Sequence, residues 1–184
     1  MINCIMFDLD GTLFYTKKAN ALAYIKALKE EGFDVSEEDY NGVFGLRSDE
    51  FLPKIAKGIT RQQIKRVRER KVYFYGTNLD MIKPNKTLLD FLKSLSKQYQ
   101  TALVTTASKK SVDMILEHFN LTDEFDVIIY GEDAKISKPD PESYLLAMKK
   151  CNIKPQDCLV FEDSEVGVKA ALASGANVIR VPNS

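Results

Sequence analysis

The hydrophobic positions of this chain switch between two periods. The first apolar run, residues 2–7, is continuous and rich in Ile and Phe, and it stops at Asp8-Leu9-Asp10-Gly11-Thr12. A short continuous run ended by turn residues reads as a buried strand. Between residues 19 and 31 the pattern becomes helical, with Leu22, Ile25 and Leu28 on one face. Gly32 terminates that helix, and Phe33 is placed to pack back onto it. Ser36 caps a next helix at Glu37-Glu38-Asp39. Two glycines break the segment Asn41-Gly42-Val43-Phe44-Gly45-Leu46-Arg47, and Ser48-Asp49-Glu50 begins another helix running toward Gly58. Thr60 and Gln63 form a capping box for a basic helix through Ile64, Val67 and Lys71. Val72-Tyr73-Phe74-Tyr75 closes that helix with an aromatic face, and the charge run 61–71 reads as a solvated surface. Residues 15–80 are therefore expected to hold helices and no strand.

From Pro84 onward strands and helices alternate. Leu88, Phe91 or Leu92, Leu95 and Tyr99 form a helical stripe, followed by a strand at 101–106. Val112, Ile115, Leu116 and Phe119 mark a helix, and 125–130 is a strand ending at Gly131. Pro141 opens a helix with Leu145 and Met148 facing inward. The strand 158–161 ends in Glu162-Asp163, and Val166, Ala170 and Ala173 mark a helix stopping at Gly175. A last strand covers 177–181. Strands separated by helices of this length imply a parallel sheet with right-handed crossovers. The expected organisation is an α/β core from residues 1–14 and 81–184, with a helical insertion at 15–80. An insertion opening beside two carboxylates is placed to cover them.

Composition narrows the partners. Lys and Arg number 26, matched by 26 Asp and Glu, so zero net charge gives no reason to expect nucleic acid or an anionic membrane. No apolar run approaches the roughly 20 residues that span a bilayer. The N-terminus lacks the basic region of a signal peptide. Cys4, Cys151 and Cys158 are odd in number and scattered in sequence, which argues against a disulfide framework and for a reducing, cytoplasmic setting. His118, the single histidine, sits beside Phe119 in a helical stretch and reads as a packing or surface residue.

The candidate chemistry lies where strands end, because ligands of open parallel sheets bind outside the carboxyl edge. Asp8 and Asp10 follow the first strand, and Thr105-Thr106-Ala107-Ser108 the second. Lys138-Pro139 lies in the loop after the third, and Glu162-Asp163-Ser164 follows the fourth. Each alone has an ordinary reading: a turn, a strand-end Thr, a solvated Lys, a helix cap. Together, one per strand and in order, they form a coherent set. Asp8, Glu162 and Asp163 offer hard oxygen ligands suited to Mg²⁺ with a phosphate oxygen. Thr106 offers a hydroxyl, and the backbone N–H groups beside it, including that of Ala107, open a helix that suits a phosphate. Lys138 supplies positive charge to the phosphate and the acids.

Asp8-Leu9-Asp10-Gly11-Thr12 resembles the Asp-x-Asp-x-Thr signature of the haloacid dehalogenase superfamily of phosphotransferases, and the three later features resemble its remaining motifs. The resemblance covers most of the chain. It implies a parallel five-stranded Rossmann-like sheet with helices on both faces and an inserted all-helical cap like that of phosphoglycolate phosphatase and β-phosphoglucomutase relatives. It implies a Mg²⁺-dependent phosphatase that hydrolyses a small phosphorylated metabolite, as a monomer or weak homodimer. In those terms Asp8 is the nucleophile that forms an aspartyl-phosphate. Asp10 is the general acid, then the base, and its carbonyl is a further metal ligand. Thr106, with Thr105 as a register alternative, and Lys138 bind phosphate, while Glu162 and Asp163 complete the metal site. Arg47, the cation of the two-glycine loop, is a candidate reader of a substrate carboxylate or second phosphate, beside its reading as a surface Arg near Asp49 and Glu50. Phe14-Tyr15-Thr16 departs from the Asp-Ser or Asp-Thr that many relatives carry after the signature. A sugar-phosphate mutase of the same family stays open, as does a phosphate-binding receiver-like module, whose acids, Thr and Lys run in a different order.

Overall fold

A computed structural model of the protein describes residues 1–95 and 98–182. It divides the chain into two compact units, 1–15 with 84–184 and 16–83. The first is built on β1 (Cys4–Phe7), and the chain leaves it through β2 (Phe14–Tyr15). The second holds α1 (Lys17–Glu30), α2 (Glu37–Asn41), α3 (Ser48–Ile55) and α4 (Arg61–Gly76). The chain returns through β3 (Lys83–Pro84), which pairs with β2 in a two-stranded ribbon that the sequence pattern did not announce. The first unit then continues as α5 (Lys86–Leu95), β4 (Gln100–Val104), α6 (Lys109–His118), β5 (Val127–Ile129), α7 (Glu142–Cys151), β6 (Cys158–Glu162), α8 (Glu165–Ala173) and β7 (Asn177–Arg180).

The five-stranded sheet runs β5-β4-β1-β6-β7, and every pairing is parallel. The buried strand β1 alternates its side chains between two apolar layers. Cys4 and Met6 join the layer formed with Tyr144, Ala147 and Met148 of α7 and Ala170 and Ala171 of α8. Phe7 points the other way, where its ring stacks on Phe161 at 5.2 Å and meets Phe91 of α5 edge-on at 6.4 Å. Helices therefore cover both faces. After β1 the chain adds strands on one side, through β4 and β5, and then on the other, through β6 and β7. Strand order reverses at β1, which makes its carboxyl end the topological switch point where open α/β sheets bind ligands.

Three stripes read from the sequence match the buried faces only in part: Leu92 and Leu95 of α5, Met148 of α7 and Ala170 of α8 are buried as expected. In α7 the buried positions are Tyr144, Ala147, Met148 and Cys151, and Leu145, expected inward, is 44% exposed. One residue is about 100° of helix turn, enough to move Leu145 off a face that Tyr144 already defines. In α8 Gly167, Ala170 and Ala171 are buried and Ala173 is exposed, for the same reason. In α5 the deepest positions are Leu89, Leu92 and Leu95. The scattered cysteines converge: Cys4 and Cys158 are register partners on β1 and β6, and Cys4 Sγ lies 3.9 Å from Cys151 Sγ. All three are free thiols in the core.

The helical unit has its own core of Ala21, Ala27, Leu28, Val35, Tyr40, Phe51, Leu52 and Val67. The alanines of α1 let α4 approach closely, while Tyr24, Tyr40 and Phe51 interlock through ring contacts of 4.9–5.6 Å. Phe33 N–H donates to Leu28 O and Gly32 N–H to Lys29 O, a Schellman stop with Gly32 at φ +86°. The capping box expected at Thr60–Gln63 forms, and the Ser36 cap is itself part of a box with Asp39. The basic run of α4 is mostly solvated, and Arg66 makes a two-pronged contact to Glu31 at 2.7 Å. Lys71 is the exception. It is buried, with its ammonium 4.0 Å from the Tyr75 ring centroid and 5.3 Å from that of Tyr24. The α4 face that carries Val67 and Tyr75 also carries Lys71, so periodicity overrides its charge.

Candidate active site at the carboxyl edge of the sheet

The register of the central strands assembles the acids. Phe7 pairs with Phe161, and Asp8 N–H donates to Phe161 O at 3.0 Å, so Asp8 lies alongside Glu162 and Asp163. Oxygens of Asp8, Glu162 and Asp163 lie within 4.8 Å of one another, and all three residues are buried. Lys138 enters from the loop after β5 with its side chain 2% exposed. Its ammonium donates to Asp8 Oδ1 at 2.8 Å, Glu162 Oε2 at 2.7 Å and Val104 O at 3.1 Å. A lysine ammonium has three N–H donors, so these acceptors use all of them.

Glu162 is equally committed. Oε2 also accepts from Tyr144 Oη at 2.8 Å, and Oε1 accepts from Ser164 N and Oγ at 3.1 and 3.0 Å. Ser164 Oγ in turn accepts from Gly167 N–H, which caps α8. Gly167 is what lets the carboxylate sit there: a Cβ at this position would lie 2.0 Å from Glu162 Oε2. Gly11, at φ +98°, plays the same part for Asp163, whose Oδ2 would be 2.2 Å from an added Cβ. Asp163 Oδ1 is held from the other side by Thr12 Oγ1 at 2.9 Å.

The charges are unbalanced. Burial, then the nearby Glu162, push the Asp8 carboxyl well above its usual range, and Lys138 offsets only part of this. Burial and Glu162 push Asp163 up to about 6, with a smaller contribution from Asp10. Burial opposes ionisation of Glu162 too, but Lys138, Tyr144 and Ser164 hold it below its usual value. Lys138 stays a cation: burial opposes its charge, and Asp8 and Glu162 outweigh it. An all-oxygen donor set with surplus negative charge fits a hard divalent cation.

The other expected site residues fall as follows. Asp10 is half-buried in the signature loop, bridged to Phe14, with Gly11 N–H closing the turn onto Phe14 O at 2.8 Å. Thr105 is buried, and its hydroxyl accepts from Ala107 N–H at 3.0 Å, which leaves the half-exposed Thr106 as the next hydroxyl along. The Ala107 N–H offered to a phosphate is thus directed back into its own loop. The start of α6 is likewise engaged, with Lys109 N–H on Glu132 and Ser111 N–H on Ser108. Arg47 belongs to the helical unit, where it precedes α3 and pairs with Asp49 at 3.3 Å. Tyr144 was not singled out from the sequence, and Thr12 and Ser164 were quoted there only as members of their stretches, with no role. Thr12 was visible as the last residue of the signature, whereas Tyr144 carried no signal beyond being a tyrosine in a helix.

Residues 5–181 match the model of the haloacid dehalogenase-like hydrolase family. The chain belongs to that family. Among curated relatives, this hydrolase is 31% identical over 182 residues to the phosphorylated carbohydrates phosphatase of Thermotoga maritima, covering 95% of this chain and 82% of the relative. It is 26% identical to the fructose-1-phosphate phosphatase YqaB of Escherichia coli over 96% of this chain and 95% of the relative. Among solved structures it is similar to the β-phosphoglucomutase of Clostridium difficile, with a TM-score of 0.85 and 26% identity over 100% of this chain and 86% of the other. No described helix is long and apolar enough to cross a membrane.

Proposed function

We propose that this hydrolase is a Mg²⁺-dependent phosphatase that removes phosphate from a small phosphorylated metabolite, a sugar phosphate above all, through an aspartyl-phosphate at Asp8. The observation that carries the reading is Asp8 itself: a buried carboxylate at the switch point, fixed by Lys138 and flanked by Asp163. The names of the Thermotoga and Escherichia relatives point to the same substrate class. Asp8, Asp163 and Asp10 would hold the cation, which when bound neutralises the acids and polarises a phosphoryl oxygen. Glu162, whose oxygens already accept four hydrogen bonds, adds negative charge and holds Lys138.

Lys138 orients the Asp8 carboxylate and offsets part of the burial that opposes its charge. An Asp8 oxygen bonds to phosphorus as the ester P–O bond breaks, and Asp10 gives its proton to the departing oxygen. Asp10 then takes a proton from water, whose oxygen bonds to phosphorus as the acyl-phosphate breaks, restoring Asp8 and releasing phosphate. Thr106 holds a phosphoryl oxygen, and Lys138, its N–H donors kept on Asp8, Glu162 and Val104, contributes its positive charge to the phosphoryl group. The helical unit selects the substrate, with Arg47 the residue that reads the part of it beyond the phosphate. The reaction belongs to the cytoplasm, the compartment suited to three free thiols.

The mutase reading has one observation in its favour, the likeness to a β-phosphoglucomutase. A screen of phosphorylated metabolites tests the proposal. Phosphate release with Mg²⁺, abolished by chelator, supports it. Release undiminished in chelator refutes the metal role. Isomerised sugar phosphate without free phosphate would favour the mutase, and no turnover of any ester the receiver-like module.

A further inference from the structure

The Lys138–Glu162 pair is completed by a group from outside the four motifs. Tyr144 lies on α7, two residues into the helix, and is fully buried. Its hydroxyl donates to the same Glu162 oxygen that accepts from Lys138, at 2.8 and 2.7 Å. Its ring faces Lys138, with the ammonium 4.9 Å from the centroid. An ionised carboxylate offers about four lone-pair sites. Glu162 fills them with Lys138, Tyr144, and the backbone and hydroxyl of Ser164. Because every partner is fixed, the carboxylate has one orientation, and so does the ammonium that must also meet Asp8.

We propose that Tyr144 is a positioning residue: through its hydroxyl on Glu162 it aims Lys138 at Asp8. Without the hydroxyl, one buried lone-pair site of Glu162 goes unfilled. The carboxylate can then rotate about its last torsion, and Lys138 loses the fixed acceptor that sets its direction. Tyr144 reaches Asp8 through three hydrogen bonds, Tyr144–Glu162, Glu162–Lys138 and Lys138–Asp8, so the effect falls on the chemical step and not on substrate capture. The ring alone cannot substitute, because it restrains the ammonium without touching the carboxylate.

The inference rests on the phosphatase reading only for its activity readout. Tyr144→Phe keeps the ring and removes the hydroxyl, and Tyr144→Leu removes both. With p-nitrophenyl phosphate and Mg²⁺, Tyr144→Phe should lower kcat about tenfold, the low end for one hydrogen bond to a charged group, with KM unchanged within about twofold. The thermal midpoint should fall by only about 3–10 °C, the scale of one buried hydrogen bond to a charged group. An activity-independent readout is hydrogen exchange of the Lys138 ammonium, followed by ¹⁵N NMR and identified by its loss in Lys138→Arg. Exchange should be clearly faster in Tyr144→Phe. Wild-type kcat in Tyr144→Phe overturns the proposal, as does a loss confined to KM or to the thermal midpoint. A loss seen in Tyr144→Leu alone assigns the effect to the ring and also overturns it. Should the wild-type protein turn over no phosphate ester, the phosphatase reading fails by itself. Ammonium exchange then decides: faster in Tyr144→Phe supports the positioning role, and unchanged exchange refutes it.

Discussion

Replacing Lys138 by Met should expose how much of this fold depends on one cation. The substitution keeps the length and apolar stem of the side chain and deletes the charge. Two carboxylates, Asp8 at 2.8 Å and Glu162 at 2.7 Å, then face each other in a buried pocket without their counter-charge. Removing one partner of a buried pair typically costs about 3–5 kcal/mol, because the remaining charge is uncompensated. For a chain of 184 residues, at about 2–4 °C per kcal/mol, the midpoint should fall by roughly 10 °C. The loss must depend on pH. With Lys138 gone, both acids have folded-state pKa values above their unfolded ones. The folded state then binds the extra protons, so the penalty is small below about pH 4, near the unfolded carboxylate values, and grows as pH rises through the folded ones. Wild type behaves oppositely at Glu162, which Lys138 holds below its usual value. The gap between the two proteins should therefore widen with pH, and Mg²⁺ should close part of it by supplying positive charge to the same acids. Urea unfolding across the pH range, with and without Mg²⁺, measures this. A loss under about 1 kcal/mol, the scale of a surface ion pair, or one that does not change with pH, would refute the reasoning.

Other consequences follow from the same geometry. Gly167→Ala would place a methyl group 2.0 Å from Glu162 Oε2; displacing that carboxylate should cost about 1–3 kcal/mol and reduce turnover, and a variant matching wild type in unfolding and hydrolysis would mean the network is not rigid. Because burial and Glu162 push Asp163 up to about 6 and also raise Asp8, a cation binding below about pH 6 must displace protons from these ligands, so Mg²⁺ affinity should fall by about tenfold or more per pH unit below 6. Calorimetry in two buffers of different ionisation heat would detect the released proton, and a pH-independent affinity would contradict the assignment. Arg47→Ala should lower kcat/KM by about 2–4 kcal/mol for the physiological substrate, as when a charged pair loses one partner, and leave a small aryl phosphate nearly untouched; equal effects on both would move substrate reading elsewhere in the helical unit.

Much of the architecture was legible because the chain's punctuation is local. Gly32, Ser36 and Thr60 each set a helix end through atoms a few residues away, and each does so as expected. Strands ended by Asp8 and Glu162 were visible as apolar runs meeting carboxylates. Less legible was anything decided by distant packing. Leu145 and Ala173 look like core residues until Tyr144 sets the buried face of α7 one position earlier and Gly167 sets that of α8 one position after Val166. Lys71 looks solvated until the aromatic rings of Tyr24 and Tyr75 close around it. The β2–β3 ribbon joins residues almost seventy positions apart, beyond any local pattern. Within the candidate site, the motif residues could be read off one by one, but their division of labour could not. Glu162 and Asp163 are neighbours in sequence, yet the first has its oxygens filled by Lys138, Tyr144 and Ser164 and the second is held by Thr12. Only the register between β1 and β6 separates them.

Trapping the enzyme during turnover shows most directly where phosphate is attached. Acid quenching followed by borohydride reduction converts a phosphorylated aspartate to homoserine, which peptide mass spectrometry locates. Homoserine should appear at position 8 alone, dependent on Mg²⁺ and substrate, and be absent from Asp8→Asn. Reduction at Asp10, Glu162 or Asp163, or steady turnover with no reducible aspartate, would contradict an aspartyl-phosphate at Asp8.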